Sequence, residues 1–218
     1  MTIRSLGVVA TMLVVATAVS ETALAQGDLE GIWQPVDPIN AHPTEDEFEY
    51  TPAGRSAMDD FNAENDPSFN CQMPGVPRGV IDPYPLEIIQ QEHQVVFLYE
   101  YYHQVRRIYL DGREAPEFWP PTLGGFSTGH WEGDILVVHT TRLSPDNLMN
   151  VNGRPFSGAE DTYVVERYTR RGDTLVLEAE AFDPTYYSSR YQFGMEYTLD
   201  PDGQIWEYHC NPSFGDVG

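Results

Sequence analysis

Phe126-Ser127-Thr128-Gly129-His130-Trp131-Glu132-Gly133-Asp134-Ile135-Leu136-Val137-Val138-His139-Thr140-Thr141 is the segment on which the fold turns. β-branched and aromatic residues lie on both sides of Glu-Gly-Asp, the pattern of two strands joined by a tight hairpin. Loop length then fixes the faces. A two-residue loop sets Phe126, Thr128 and His130 on one face with Ile135, Val137 and His139, whereas a three-residue loop separates the two histidines.

The same grammar extends in both directions. Short apolar runs near 86–92, 94–102, 105–110, 125–131, 135–141, 162–170, 174–182, 190–199 and 204–209 are separated by turn residues, and Gly31 to Pro35 supplies a further strand. Asp111-Gly112, Arg171-Gly172-Asp173 and Asp200-Pro201-Asp202-Gly203 repeat the hairpin signal. No helical stretch separates successive strands, which excludes a parallel α/β sheet. The expected fold is all-β, an antiparallel meander of about ten strands, either a closed barrel or a sandwich. Closure leaves no bare strand edge and is favoured. One helix is predicted over Ala53 to Asn65, capped by Thr51 with Pro52 in its first turn. The proline-rich loop Cys71 to Pro85 is expected to run over the surface, and the connections 113–124 and 142–161 to form one rim.

The chain has 218 residues, 34 acidic and 12 basic, for a net charge of −22. Every basic residue is arginine, so lysine Schiff-base chemistry, a lysine general base and a phosphate-binding P-loop are excluded. So large a negative charge disfavours nucleic acid and anionic membranes as partners. Residues 1 to 25 read as a cleavable signal peptide: Arg4, the apolar run Leu6 to Val19, and Ala23-Leu24-Ala25 before a cut after Ala25. The apolar run is shorter than the ~20 residues that span a bilayer, so no stable membrane insertion is expected after cleavage. The mature chain, 26–218, is expected to be one periplasmic or secreted domain. In that compartment Cys71 and Cys210 form a disulfide or remain two buried thiols.

Gly31-Ile32-Trp33 on the first strand resembles the G-x-W entrance of lipocalin-like (calycin) barrels, in which the tryptophan closes one barrel end. A longer set, Cys71 to Arg78, Arg107 to Arg113, Gly129 to Val138 and Glu166-Arg167-Tyr168, resembles a family of secreted bacterial proteins with WEGD-x-LVV and ERY signatures. That resemblance covers roughly Cys71 to Asp183. Position 139 is usually acidic in the family, whereas this chain has His139. The resemblance implies a barrel architecture and no particular reaction.

If the histidine face is interior, His130 and His139 are candidates for proton transfer. Glu166 is the candidate to orient one of them, Arg107 to hold an oxyanion or carboxylate, and Tyr109 to assist. Alternatively the histidines are hydrogen-bonded core or rim residues, and Glu166 with Arg107 forms a buried ion pair. Around Tyr99, Glu100 and Tyr101 each face mixes aromatic and polar groups, which suits a ligand-holding lumen as well as simple aromatic packing. Phe126 and Thr128 join Tyr99, Glu100 and Tyr101 as candidate ligand contacts. No HExxH, CxxC, EF-hand, nucleophile elbow or dinucleotide fingerprint is present, so no cofactor is expected; a metal held by His130, His139 and Glu166 in space stays open. Three functions compete: a carrier of a small, largely apolar or aromatic molecule; a cofactor-free lyase, isomerase or hydratase; and an accessory protein that binds through its acidic surface.

Overall fold

In the computed structural model, residues 27–40, 47–150 and 152–211 are described. The segment 1–25 expected to be a signal peptide, with its expected cut after Ala25, lies outside them. Among the described residues nine strands form, in chain order β1 (Gly31–Ile39), β2 (Leu86–Gln90), β3 (Gln94–Tyr99), β4 (Val105–Tyr109), β5 (Phe126–Glu132), β6 (Ile135–Thr141), β7 (Tyr163–Arg171), β8 (Thr174–Phe182) and β9 (Tyr191–Leu199). They close into a barrel in sequence order, with β1 returning to pair with β9. The expected tenth strand does not form: the Asp200–Gly203 turn is present, but 204–211 leaves the sheet.

Alternation writes the barrel's two faces. On β3, Val95, Phe97 and Tyr99 are buried inward. On β7 the inward set is Val164, Glu166 and Tyr168, and on β9 it includes Phe193, Met195 and Tyr197. These side chains join Trp33, Leu86, Ile88, Leu136, Val138 and Leu177 in one core. Trp33 is wholly buried; its Nε1 donates to the Leu29 carbonyl at 2.9 Å, and the Arg170 guanidinium lies 5.3 Å from its ring.

The β5–β6 hairpin has the two-residue loop: Glu132 pairs with Ile135 across Gly133-Asp134, and Gly133 adopts φ +66°, a conformation glycine accepts at no steric cost. One junction departs from the antiparallel expectation. β4 and β5 run parallel, because residues 113–124 carry the chain along the barrel from the exit of β4 to the far end, where β5 begins. Asp111-Gly112 is therefore a turn without a hairpin; the 113–124 segment crosses from one barrel end to the other and there meets the 142–161 connection, where Thr122 bridges to Leu143 and Asn147 donates to the Leu123 carbonyl.

The helix α1 (Pro52–Asp59) is shorter than predicted but starts as expected, with the Thr51 hydroxyl accepting from Gly54 N at 3.0 Å. The proline-rich loop is corrected more deeply. Instead of crossing the surface it enters the open end of the barrel, burying Val76, Val80 and Ile81 in the core, and the Tyr197 hydroxyl donates to the Val80 carbonyl at 3.1 Å. The loop's anchor is the disulfide Cys71–Cys210, which also ties down the chain after β9.

Candidate functional site

Strand alternation turns Arg106 inward and Arg107 outward on β4. On β7, Glu166 stands inward opposite Val138 and Ala179. Across the lumen, Arg106 Nη1 donates to Glu166 Oε2 at 2.7 Å and Nη2 to Oε1 at 2.6 Å. The guanidinium also donates to Thr140 Oγ1 at 2.6 Å and to Ser127 Oγ at 3.1 Å, and the Tyr168 hydroxyl donates to Glu166 Oε2 at 2.7 Å. Arg106 is 4% exposed and Glu166 0%. Burial disfavours the guanidinium charge, but the carboxylate's attraction and hydrogen bonds outweigh it and hold Arg106 above its ordinary value. Burial also pushes the Tyr99 phenol up to about 12. Each oxygen of Glu166 is bonded to the guanidinium, and Oε2 also accepts from Tyr168, so the network fixes the lumen and offers no free base.

At the mouth the arrangement differs. β1 pairs with β2 only from Gly31 to Trp33, and beyond that point the 78–84 segment fills the angle between β1 and the β3–β4 connection. A cleft of about 410 Å³ remains, with Val36, Ile81, Tyr84 and Tyr101 among its walls. The rings of Tyr84 and Tyr101 stack at 4.8 Å, and Tyr208, from the chain after β9, packs against both. The polar groups in the cleft are Arg78, paired with Asp66 at 2.6 Å, and Asp82. Asp82 is 6% exposed, and desolvation, only partly countered by the nearby Arg78 charge, raises its pKa to about 8. At neutral pH the carboxyl is therefore mostly protonated and able to donate a hydrogen bond as well as accept one.

The histidine face is shared, as a two-residue loop requires, but it is the outer face: Thr128 pairs with His139 and His130 with Val137, while Ser127, Gly129, Leu136, Val138 and Thr140 occupy the alternating positions that turn inward. His130 is exposed and 3.2 Å from Glu132 Oε1. His139 packs 5.1 Å from the Tyr163 ring, and partial burial lowers its pKa. Glu166 points the other way, so His130, His139 and Glu166 are not brought together for proton transfer or for a metal. Arg107 and Tyr109 also face outward.

Among the candidate ligand contacts, Tyr101 lines the mouth cleft, and Tyr99 lies inside the barrel beneath it. Glu100 accepts from Trp206 N at 2.9 Å. Phe126 is buried on the outside under Trp119, and Thr128 is half-buried on the outer face. Arg106 is chemically identical to its neighbour Arg107 and Asp82 sits in a loop without periodicity, so the sequence marks neither as a site residue.

No family model matches the chain, and no curated protein matches it. Among solved structures, the zebrafish ileal bile acid-binding protein complexed with cholic acid is similar at 13% identity and a TM-score of 0.37, over 78% of this chain and 98% of that one.

Proposed function

We propose that this chain is a carrier of a small, largely apolar or aromatic molecule, held at the barrel mouth between Tyr84, Tyr101, Ile81 and Val36. The observation that carries the reading is the buried Asp82 carboxyl in an aromatic cleft of about 410 Å³, a volume within the range of small-molecule sites. The aromatic walls supply apolar contact and the neutral carboxyl meets one carbonyl or hydroxyl of the ligand. The chain works in the periplasm or outside the cell, released by cleavage after Ala25; the Cys71–Cys210 disulfide suits an oxidising compartment.

The test is a fluorescence titration of the mature chain with N-phenyl-1-naphthylamine, a neutral aromatic probe. Saturable binding is expected, weakened about tenfold by Tyr101→Ala, the loss of roughly one aromatic contact. Failure to bind, or equal binding by the variant, refutes the mouth as the site.

A further inference from the structure

Two side chains that carry charge face the mouth cleft, Arg78 and Asp82, and they differ in what they can still bond. Arg78 is committed. Its Nη1 donates to Asp66 Oδ2 at 2.6 Å, the two side chains are 12% and 13% exposed, and Asp66 is itself fixed by accepting from Ser68 N at 2.9 Å. An anion that approached Arg78 would meet the Asp66 carboxylate beside it. Asp82 is uncommitted: among the described residues no group bonds its carboxyl, although the side chain walls the cleft and the residue is 6% exposed.

The titratable groups around that carboxyl are Arg78 of its own loop, Tyr84 beside it, Tyr101 from the β3–β4 connection and Tyr197 from β9. Burial, more than any neighbouring charge, pushes both Tyr101 and Tyr197 above the ordinary phenol value, so they stay neutral while Asp82 titrates. The Tyr197 hydroxyl is already given to the Val80 carbonyl. A ligand carboxylate would therefore be buried against a carboxyl with no free cation to pair with, the costliest kind of occupant. A neutral carbonyl or hydroxyl oxygen instead accepts the Asp82 O–H. The floor limits length. Val80 and Ile81, 0% and 2% exposed, plug the barrel over a core that contains Phe97 and Tyr99, so a long acyl chain has no lumen to enter. A compact ring fits against Tyr84 and Tyr101, whose own rings stack at 4.8 Å.

We propose that the mouth selects compact, uncharged aromatic molecules that carry a carbonyl or hydroxyl oxygen, as aryl ketones and phenols do, and rejects carboxylates and long-chain fatty acids. The assignment rests on the mouth being the binding site. Tyr84 and Tyr101 hold the ring, Asp82 donates to the oxygen, and Val80 with Ile81 sets the depth. The net charge of −22 acts in the same direction at longer range, because it repels anions before they reach the cleft.

The experiment is displacement of N-phenyl-1-naphthylamine from the mature chain by 2-acetonaphthone, 2-naphthoate and dodecanoate. At about pH 6.5 the ketone is expected to compete at least about tenfold more strongly than either acid. Asp82→Leu, which deletes the donor, should weaken the ketone about tenfold and leave the probe within about twofold. Only the protonated carboxyl donates, and Asp82 gives up its proton at about pH 8, so ketone affinity should fall about tenfold between about pH 6.5 and about pH 9. Asp82→Asn, whose amide N–H donates at either pH, should show no such fall. Equal competition by 2-naphthoate or dodecanoate, unchanged ketone affinity in Asp82→Leu, or the same fall in Asp82→Asn overturns the selectivity while the mouth stands as the site. No probe binding by the parent chain removes both.

Discussion

Arg106 and Glu166 meet in a two-bonded ion pair from strands that are not neighbours: β4 and β7 are separated around the barrel by β5 and β6. The pair therefore spans the lumen and does not clip one strand to the next. Its removal by halves leaves a bare charge in a dry core. Glu166→Leu or Arg106→Met alone is expected to cost about 3–5 kcal/mol in urea denaturation, and the double substitution to recover much of the loss. Equal damage from the double and the single variants would contradict this account.

Asp82 sets a pH dependence of the opposite sign from a salt-bridged carboxylate. The unfolded chain releases this proton near its ordinary value of 3.8, while the native state keeps it to about 8. Between those limits the native state binds more protons, so this group's contribution falls as pH rises. Asp82→Asn should match the parent near pH 4 and exceed it by on the order of 10 °C in Tm near pH 9. A constant Tm difference across the range would show that Asp82 titrates normally.

The disulfide holds more than two chain ends. After β9 the chain returns over the β3–β4 connection, where Trp206 N bonds to Glu100, Tyr208 N bonds to His103 Nε2 at 2.5 Å, and the Tyr208 ring packs against Tyr101 and Tyr102. Beneath it Tyr102 and His103 both occupy left-handed backbone, at φ 54° and 50°, which costs on the order of 1–3 kcal/mol each. The bridge joins residues 139 apart in sequence. Cys71→Ser with Cys210→Ser should lower stability by about 4–5 kcal/mol on the chain-entropy account. Amide exchange should rise first at Tyr101 to Gln104; uniform acceleration along the chain would show that the covering segment does not hold this connection.

Histidine substitutions test the outer placement. His130→Ala and His139→Ala are expected to leave N-phenyl-1-naphthylamine affinity within about twofold and stability within about 1 kcal/mol, as for surface changes. The His139 imidazole should titrate below the ordinary 6.5 by NMR, because partial burial disfavours its charge. A large loss of probe binding in either variant would place the ligand on the histidine face.

Much of the barrel was legible because turn chemistry and alternation agree. The turn residues at Glu132-Gly133-Asp134-Ile135 located the hairpin but left two registers open, and the seven other strands lie where short apolar runs occur. Which face is inside was not legible at β5, because its inward positions there include Ser127 and Gly129, residues that read as solvent-facing. Arg106 and Arg107 are adjacent and chemically identical, so only the register of β4 decides which is buried. Asp111-Gly112 reads as a hairpin because the local sequence carries no record of the crossing that follows. In the Cys71 to Pro85 loop the prolines identify a segment that cannot join a ladder, but not that it fills the barrel mouth; Val76, Val80 and Ile81 were the apolar clue.

Joining β1 to β9 has a consequence for how the chain must be assembled. Trp33 pairs with Leu199 and Ile39 with Gly194, contacts between the two ends of the folded sequence. The β5–β8 hairpins can form from local contacts, but β1 stays without one of its partners until the last strand is delivered. A chain ending before Tyr191 would present two bare edges, on β1 and β8, each able to recruit another copy. Folding and completion of synthesis are thereby coupled: productive closure waits for the C-terminal strand, and fragments that stop short of it are expected to aggregate instead of remaining as open monomers.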